Sequence, residues 1–386
     1  MKKKTILYVH QSSDLYGSDK ALLLLVINLN KDLFTPIVVL PKIGPLLKEL
    51  QKNNILVIVT PVLNIHKKMF NFKELFLFSI QLVKSILKLN GELKSYKIDF
   101  IQSNTVVVTL GFIYARLKGI KHFWHIHEVL ESPKIAVKVF SWLVKVFGDV
   151  PIFNSIATQD SFCEEYPKIC EKSVVIYNGL ERKEKIATNL EVIQLKESLK
   201  LKSNDIILGL IGRINENKGH SLLLNSFKKV QKKHPNTKLL FVGSTVKGKE
   251  YFLENIKDQI KKLGLDTKVF IISFQKDIWK FWDILDIAIV PSTISESFGL
   301  VALEAMLSSK PVIASNLGAL KEVVEADKTG VLFDQNEEES LGKAITLLIE
   351  NKSLREKYGV AGFQRAVQYF TLENYINQFE KSYLKN

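Results

Sequence analysis

Two carboxylates eight positions apart, Glu296 and Glu304 in Ser-Glu-Ser-Phe-Gly-Leu-Val-Ala-Leu-Glu-Ala-Met (295–306), have a spacing that offers chemistry. The apolar run 287–290, closed by Pro291, reads as a buried strand, and the Ala, Leu and Met content from Val301 onward reads as a helix packed behind it. Glu296 then falls in the loop before the helix, beside backbone N–H groups that lack intrahelical partners, and Glu304 lies about 7.5 Å further along the axis than Gly299. A carboxylate accepts hydrogen bonds from hydroxyls, and a helix N-terminus attracts an anion. The pair therefore suits a ligand carrying both hydroxyls and phosphate. Two ordinary glutamates on a solvated helix would be spelled the same way, and these residues alone do not separate the two readings.

Other candidates lie at similar places. Gly212-Arg213-Ile214-Asn215-Glu216-Asn217-Lys218-Gly219-His220 follows an apolar strand and precedes a helical pattern, so Arg213 and Lys218 flank a helix N-terminus and can clamp a diphosphate through charge-assisted hydrogen bonds. Leu15-Tyr16-Gly17-Ser18-Asp19-Lys20 follows the first strand, and Gly17 lets backbone approach a phosphate. The run has neither the Gly-x-Gly-x-x-Gly nor the Walker pattern, so a nicotinamide or kinase reading has little support. In His122-Phe123-Trp124-His125-Ile126-His127-Glu128 the alternation puts His125 and His127 on one face of a strand. No third ligand stands at a telling spacing, so contact between a strand-end histidine and substrate is preferred to metal ligation.

The elements that must position these residues alternate along the chain. Strand-like runs fall at 5–9, 36–40, 55–59, 99–102, 122–126, 151–153 and 174–176, then at 206–211, 238–242, 268–272, 286–290, 311–314 and 331–333, with helical patterns between. That alternation predicts an α/β protein of two doubly wound domains joined near Asn178-Gly179. Ligands of such sheets bind beyond the carboxyl ends of the strands, where the candidates sit. A length of 386 residues, 46% of them apolar, supports two cores.

Net charge is +14, with 23 basic against 14 acidic residues in 1–180 and 31 against 26 in the rest. Nucleic acid, an anionic membrane surface and phosphorylated small molecules all fit that balance. The pattern 72–89 carries Leu75, Phe76, Phe78, Leu82, Val83, Ile86 and Leu87 at helical spacing among Lys67, Lys68, Lys73, Lys84 and Lys88. It is read as a domain helix whose apolar stripe packs on the sheet, with a basic membrane-surface helix as the alternative. The N-terminus lacks the apolar core of a signal peptide, and the sixteen uncharged residues 100–115 are too short and polar to span a bilayer, so a cytoplasmic protein is expected. The two cysteines, Cys163 and Cys170, are separated by Pro167 and are expected to be free thiols.

Taken together, Gly212-Arg213 with Lys218-Gly219, Glu-Ser-Phe-Gly-Leu-Val-Ala-Leu-Glu from Glu296 to Glu304, His127 in His-Glu, and Asn178-Gly179 resemble the retaining glycosyltransferases of family 4 (glycosyl transferases group 1). The resemblance spans nearly the whole chain and is more specific in the second domain. It implies the GT-B fold, two doubly wound Rossmann-like domains with a cleft between them. These would be an acceptor-side domain 1–179, a nucleotide-sugar donor domain 180–370 and a C-terminal helix within 371–386 that crosses back to the first. It further implies that Arg213 and Lys218 bind the donor diphosphate, Glu304 the ribose, and Glu296 the transferred sugar. His127 would lie near the reacting sugar, Gly17 near the distal phosphate, and the backbone N–H groups of Phe298, Gly299 and Leu300 would complete the cradle. Departures are Tyr16-Gly17 where two glycines are usual, Ser244 after Gly243, and Gly318-Ala319 where a glycine pair is common.

The implied reaction leaves negative charge on a departing diphosphate and positive charge at the anomeric carbon. No Asp-x-Asp motif is present, which assigns the diphosphate to Arg213 and Lys218 and leaves no metal or other cofactor expected. The expected partners are a UDP-, GDP- or ADP-sugar, a saccharide or lipid-linked acceptor of cell-envelope polysaccharide synthesis, and the inner membrane surface, with no nucleic acid. A GT-B-like nucleotide-sugar epimerase and a non-catalytic nucleotide-sugar-binding protein remain as alternatives.

Overall fold

The computed structural model describes residues 2–64, 72–182 and 185–386. Two compact units emerge, one of Met1–Gly179 with Leu372–Asn386 and one of Leu180–Thr371. In the first, β1 (Lys4–His10), β2 (Phe34–Leu40), β3 (Leu56–Val59), β4 (Phe100–Asn104), β5 (Lys121–Ile126), β6 (Val150–Phe153) and β7 (Val174–Val175) form one parallel sheet in the order β3-β2-β1-β4-β5-β6-β7. In the second, β8 (Ile206–Ile211), β9 (Thr237–Val242), β10 (Val269–Ile272), β11 (Ile287–Val290), β12 (Val312–Ser315) and β13 (Gly330–Phe333) form another, ordered β10-β9-β8-β11-β12-β13. Both are doubly wound, so each has a switch point where the direction of winding reverses, between β1 and β4 and between β8 and β11. Strands such as Ile206–Ile211 and Ile287–Val290 are apolar along their whole length because both of their faces are covered, as parallel sheets require.

Alternation along β1 divides the first unit's core. Ile6 and Tyr8 pack with Leu22, Leu25, Leu46 and Leu50 of the helices Gly17–Asn28 and Pro45–Lys52, and with Tyr375, Phe379 and Tyr383 of the helix Leu372–Lys385. Leu7 and Val9 point the other way, to Leu89, Leu110 and Tyr114 of the helices Phe72–Glu92 and Leu110–Lys118. The final helix is held by polar contacts as well. The Tyr8 hydroxyl donates to that of Tyr383 (3.1 Å), which donates to Gln102 Oε1 (2.5 Å), and the Asn30 N–H donates to Glu380 (2.6 Å).

Two expectations change. The cysteines are joined, Cys163 at the end of the helix Ile156–Cys163 and Cys170 in the helix Lys168–Lys172, with Cα atoms 5.8 Å apart. Pro167 starts the second helix and folds it back against the first, so the residue that spoils a shared helical face is the one that brings the thiols within bonding reach. The apolar residues of the helix Phe72–Glu92 do not all face the sheet. Leu82, Ile86 and Leu89 pack on the core, whereas Phe76, Val83 and Leu87 are 61%, 56% and 65% exposed. Lys67 and Lys68 lie outside the described residues. Among the described residues no helix is long and apolar enough to cross a membrane.

Candidate functional site

Lys218 and Glu296 meet at the switch point of the second sheet. Lys218 lies in the loop after β8 and Glu296 in the loop after β11, and these neighbouring strands bring together residues 78 positions apart. The Lys218 ammonium forms an ion pair with Glu296 Oε1, to which the Ser292 hydroxyl also donates. Burial alone would raise the Glu296 carboxyl, but the ammonium and these two hydrogen bonds hold it below the usual carboxylate range. Both side chains keep some exposure, 25% for Lys218 and 19% for Glu296, so the pair is within reach of a ligand.

Local backbone fixes both partners. Asn215 Oδ1 accepts from the Asn217 and Lys218 N–H groups (3.1 Å each), capping the short turn that carries Lys218. Gly219 then takes a left-handed φ of +69°, and a Cβ there would sit 1.8 Å from the Pro291 carbonyl oxygen. The Thr293 N–H donates to the Asn217 carbonyl (2.9 Å) and ties the two loops together. On the far side Gly318 has φ +54°, a Cβ there would be 2.8 Å from Glu296 N, and the Ala319 N–H donates to the Glu296 carbonyl (2.9 Å).

Phe298 and Gly299 are buried, and Gly299 caps the helix Leu300–Leu307, whose first-turn N–H groups follow the Glu296 loop. Glu304 is only 7% exposed in that helix, which removes the reading of an ordinary solvated glutamate. Arg213 stands two residues beyond β8 and is partly buried. Ser292, which also aligns Glu296, carried no signal in the sequence because its role depends on the ion pair.

In the first unit the carboxyl edge of the sheet collects polar side chains. His127 follows β5; its Nε2 lies 3.2 Å from His125 Nδ1 and its Nδ1 lies 3.5 Å from Asn154 Nδ2. Burial, with His10 adding to it, lowers the His127 pKa to about 3, so the ring is neutral at physiological pH. Glu128 Oε2 accepts from the Val106 and His127 N–H groups (3.1 Å each) and anchors the turn, while burial pushes its carboxyl up to about 7. Among the described residues no group of three or more His, Cys, Asp or Glu is arranged to hold a metal.

Gly17 is the exposed first residue of its helix, following Tyr16. The neighbouring Asp19 is buried; it accepts from the Tyr16 N–H (2.8 Å) and pairs with His10 Nε2 at 2.7 Å, an interaction that holds its carboxyl below the usual range against burial. The i, i+9 spacing of His10 and Asp19 spans a strand end and a helix start, and so has no periodic signature in the sequence.

Residues 192–365 match the family model described as glycosyl transferases group 1. The chain is 32% identical over 187 residues to the capsular polysaccharide biosynthesis glycosyltransferase CapM of Staphylococcus aureus, covering 48% of this chain and 47% of CapM. It is 30% identical over 199 residues to the lipopolysaccharide 1,2-N-acetylglucosaminetransferase of Salmonella typhimurium, covering 50% and 51%. The alignments thus span about half the length of these curated relatives. Among solved structures, Anabaena HepE in complex with UDP and glucose superposes with a TM-score of 0.86 at 24% identity, over 99% of both chains. A glycosyltransferase from Rickettsia africae gives 0.85 at 23%, over 100% of this chain and 99% of that one. Together with the two doubly wound sheets, these likenesses give the fold as GT-B.

Proposed function

We infer that this chain, whose residues 192–365 match the family model of glycosyl transferases group 1, moves a sugar from a nucleoside-diphosphate sugar to an acceptor hydroxyl with retention of configuration. The observation that carries the reading is the Lys218–Glu296 ion pair at the switch point, backed by the buried Glu304 one helix turn and more beyond. A cation and an acceptor carboxylate side by side match a ligand in which diphosphate and sugar hydroxyls are adjacent.

In this reading Arg213 and Lys218 hold the diphosphate, and the backbone N–H groups of Phe298, Gly299 and Leu300, where the loop enters the helix, supplement them. Glu304 accepts from the ribose hydroxyls and Glu296 from the transferred sugar. Lys218 reaches the diphosphate by sharing its ammonium between phosphate and Glu296, so donor binding and sugar recognition are coupled through one side chain. The fixed cations stabilise the leaving diphosphate, which makes a metal unnecessary. The acceptor hydroxyl attacks the face from which the diphosphate departs, and a diphosphate oxygen takes its proton. Glu296, held as a hydrogen-bonded carboxylate by Lys218, recognises hydroxyls and forms no glycosyl adduct. In the first unit, Gly17 is assigned to the distal phosphate and the neutral His127 to a hydrogen bond with the reacting sugar.

UDP-glucose is the first donor to test, because HepE was solved with it, followed by GDP- and ADP-sugars. The kinship to capsule and lipopolysaccharide enzymes supports a saccharide or lipid-linked acceptor in envelope polysaccharide assembly. A donor at 100 times its dissociation constant adds about 2.7 kcal/mol to the unfolding free energy, so thermal melts with each nucleotide sugar identify base and sugar. A panel that leaves the melting temperature unchanged would refute the reading.

A further inference from the structure

We propose that His125 is the positioning residue for His127: its buried ring accepts the His127 Nε2–H and leaves His127 Nδ1 as the acceptor for a hydroxyl of the reacting sugar. This rests on the assignment of His127 to that sugar made above.

Strand periodicity creates the pair. His125 and His127 stand two positions apart and share one face at the carboxyl end of β5, with ring centroids 3.9 Å apart and planes inclined at 50°. Only one of them can meet a ligand, because His125 is 1% exposed whereas His127, just beyond the strand, is partly exposed. Phe379 of the helix Leu372–Lys385 holds the His125 ring from behind, edge to face with 4.9 Å between centroids. A ring wedged in this way is a fixed partner, so its hydrogen-bonding role is decided before any ligand arrives.

The proton positions follow from the partners. Burial keeps both rings neutral, so each carries a single N–H. In the 3.2 Å contact between His127 Nε2 and His125 Nδ1, one nitrogen must therefore donate and the other accept. Asn154 sets the direction. Its Oδ1 accepts from the Thr158 hydroxyl (2.9 Å), which turns its Nδ2 toward His127 Nδ1 at 3.5 Å. An amide nitrogen only donates, so His127 Nδ1 accepts and the His127 proton sits on Nε2. His125 receives that proton's hydrogen bond at Nδ1 and carries its own proton on Nε2. The rest of the sheet agrees with this arrangement. His10, Asn104 and His125 are register partners across β1, β4 and β5. His10 gives its Nε2–H to the Asp19 carboxylate, so in its neutral form the ring offers Nδ1 as an acceptor, the complement of the His125 Nε2–H. Both nitrogens are buried and unengaged among the described residues.

A neutral acceptor at His127 Nδ1 reads a hydroxyl on the sugar. A carbonyl or carboxylate in that place would set two acceptors against each other, so the same atom selects against uronic acids oriented that way. The Asn154 contact lies at the outer limit of a hydrogen bond, and a sugar hydroxyl displaces it at small cost.

The test is long-range 1H–15N correlation on the full chain labelled with 15N-histidine, at neutral pH, where the coupling pattern distinguishes Nε2–H from Nδ1–H rings. Wild type, His125→Phe and His125→Asn are compared, with His127→Gln for assignment. His125 and His127 are both expected as Nε2–H tautomers. His125→Phe keeps the contact with Phe379 and removes the acceptor, so His127 should populate both tautomers. The kcat for hydrolysis of UDP-glucose, or of whichever GDP- or ADP-sugar the chain hydrolyses, should then fall about tenfold, the worth of one hydrogen bond, with binding of the nucleoside diphosphate unchanged. His125→Asn, whose Oδ1 falls near the place of Nδ1 and accepts, should restore the Nε2–H form and most of the kcat. An Nδ1–H His127 in the wild type would overturn the proposal even if neither variant folds. A kcat that stays low in His125→Asn while the tautomer is restored would overturn it too, leaving His125 a packing role alone. The expected tautomers in a chain that hydrolyses no nucleotide sugar would support the placement of His127 by His125 while refuting the transferase reading.

Discussion

Lys218 and Glu296, 78 residues apart, form an ion pair between the loops that follow two adjacent parallel strands. A double-mutant cycle with Lys218→Met and Glu296→Gln should give a coupling energy of about 1–2 kcal/mol in urea unfolding, since both side chains are largely but not fully removed from water. Additive losses would mean that the contact is not energetically formed in solution.

The two glutamates should separate by ligand. Glu304→Ala should weaken binding of the nucleoside diphosphate alone by about ten- to a hundredfold, the worth of a charged hydrogen bond. Glu296→Ala should leave that binding closer to wild type and chiefly reduce binding of the nucleotide sugar and turnover. Calorimetric titration of both ligands into both variants checks this, and equal losses throughout would contradict the division of roles.

Gly219→Ala should cost about 2–3 kcal/mol of stability, because it imposes strain at a left-handed φ and a contact with the Pro291 carbonyl. It should also weaken diphosphate binding by moving Lys218. Unfolding curves and donor titration on one preparation test both effects; a variant with unchanged donor affinity would show that the turn does not position Lys218.

Stability should fall as pH drops below 6.5. Burial lowers His122 and His220 to about 4 and His127 to about 3, and puts His125 well below its ordinary value. The unfolded chain therefore takes up protons near pH 6.5 that the folded chain refuses until pH 4 or lower, and protonation favours unfolding over that window. Glu128, raised to about 7, works in the opposite direction between its unfolded value and 7, one group against four. Urea midpoints at pH 7, 5.5 and 4.5 should decrease in that order, and a midpoint that rises over this range would contradict the burial of these rings.

Much of the scaffold was legible in the chain, and the reasons are local. Runs such as Ile206–Ile211 and Ile287–Val290 are continuous apolar segments because a parallel strand is covered on both faces, and the helical patterns between them give the alternation of a doubly wound fold. Glu296 and Glu304 were recognisable by their places before and within a helix. Their environments were not: the partnership with Lys218 and Ser292 and the burial of Glu304 arise from strand order, which spacing along the chain does not encode. The Cys163–Cys170 bond is not legible in the sequence, because Pro167 breaks a shared helical face on paper while the turn it forms brings the thiols together. The pattern 72–89 reads as one apolar stripe packed on the sheet, whereas the apolar residues of the helix Phe72–Glu92 cover more than one face, and no sequence periodicity says which of them the core will use.

The central claim is that Arg213, Lys218 and Glu296 bind and cleave a nucleotide sugar. Its most direct test is hydrolysis of UDP-glucose, and of GDP- and ADP-sugars, with water taking the sugar in place of the acceptor hydroxyl and nucleoside diphosphate released, by the wild-type chain and by Arg213→Ala, Lys218→Ala and Glu296→Ala. Release from at least one donor, reduced about a hundredfold or more in each variant, is the predicted result. Binding of every donor without release, or release that survives all three substitutions, would contradict it.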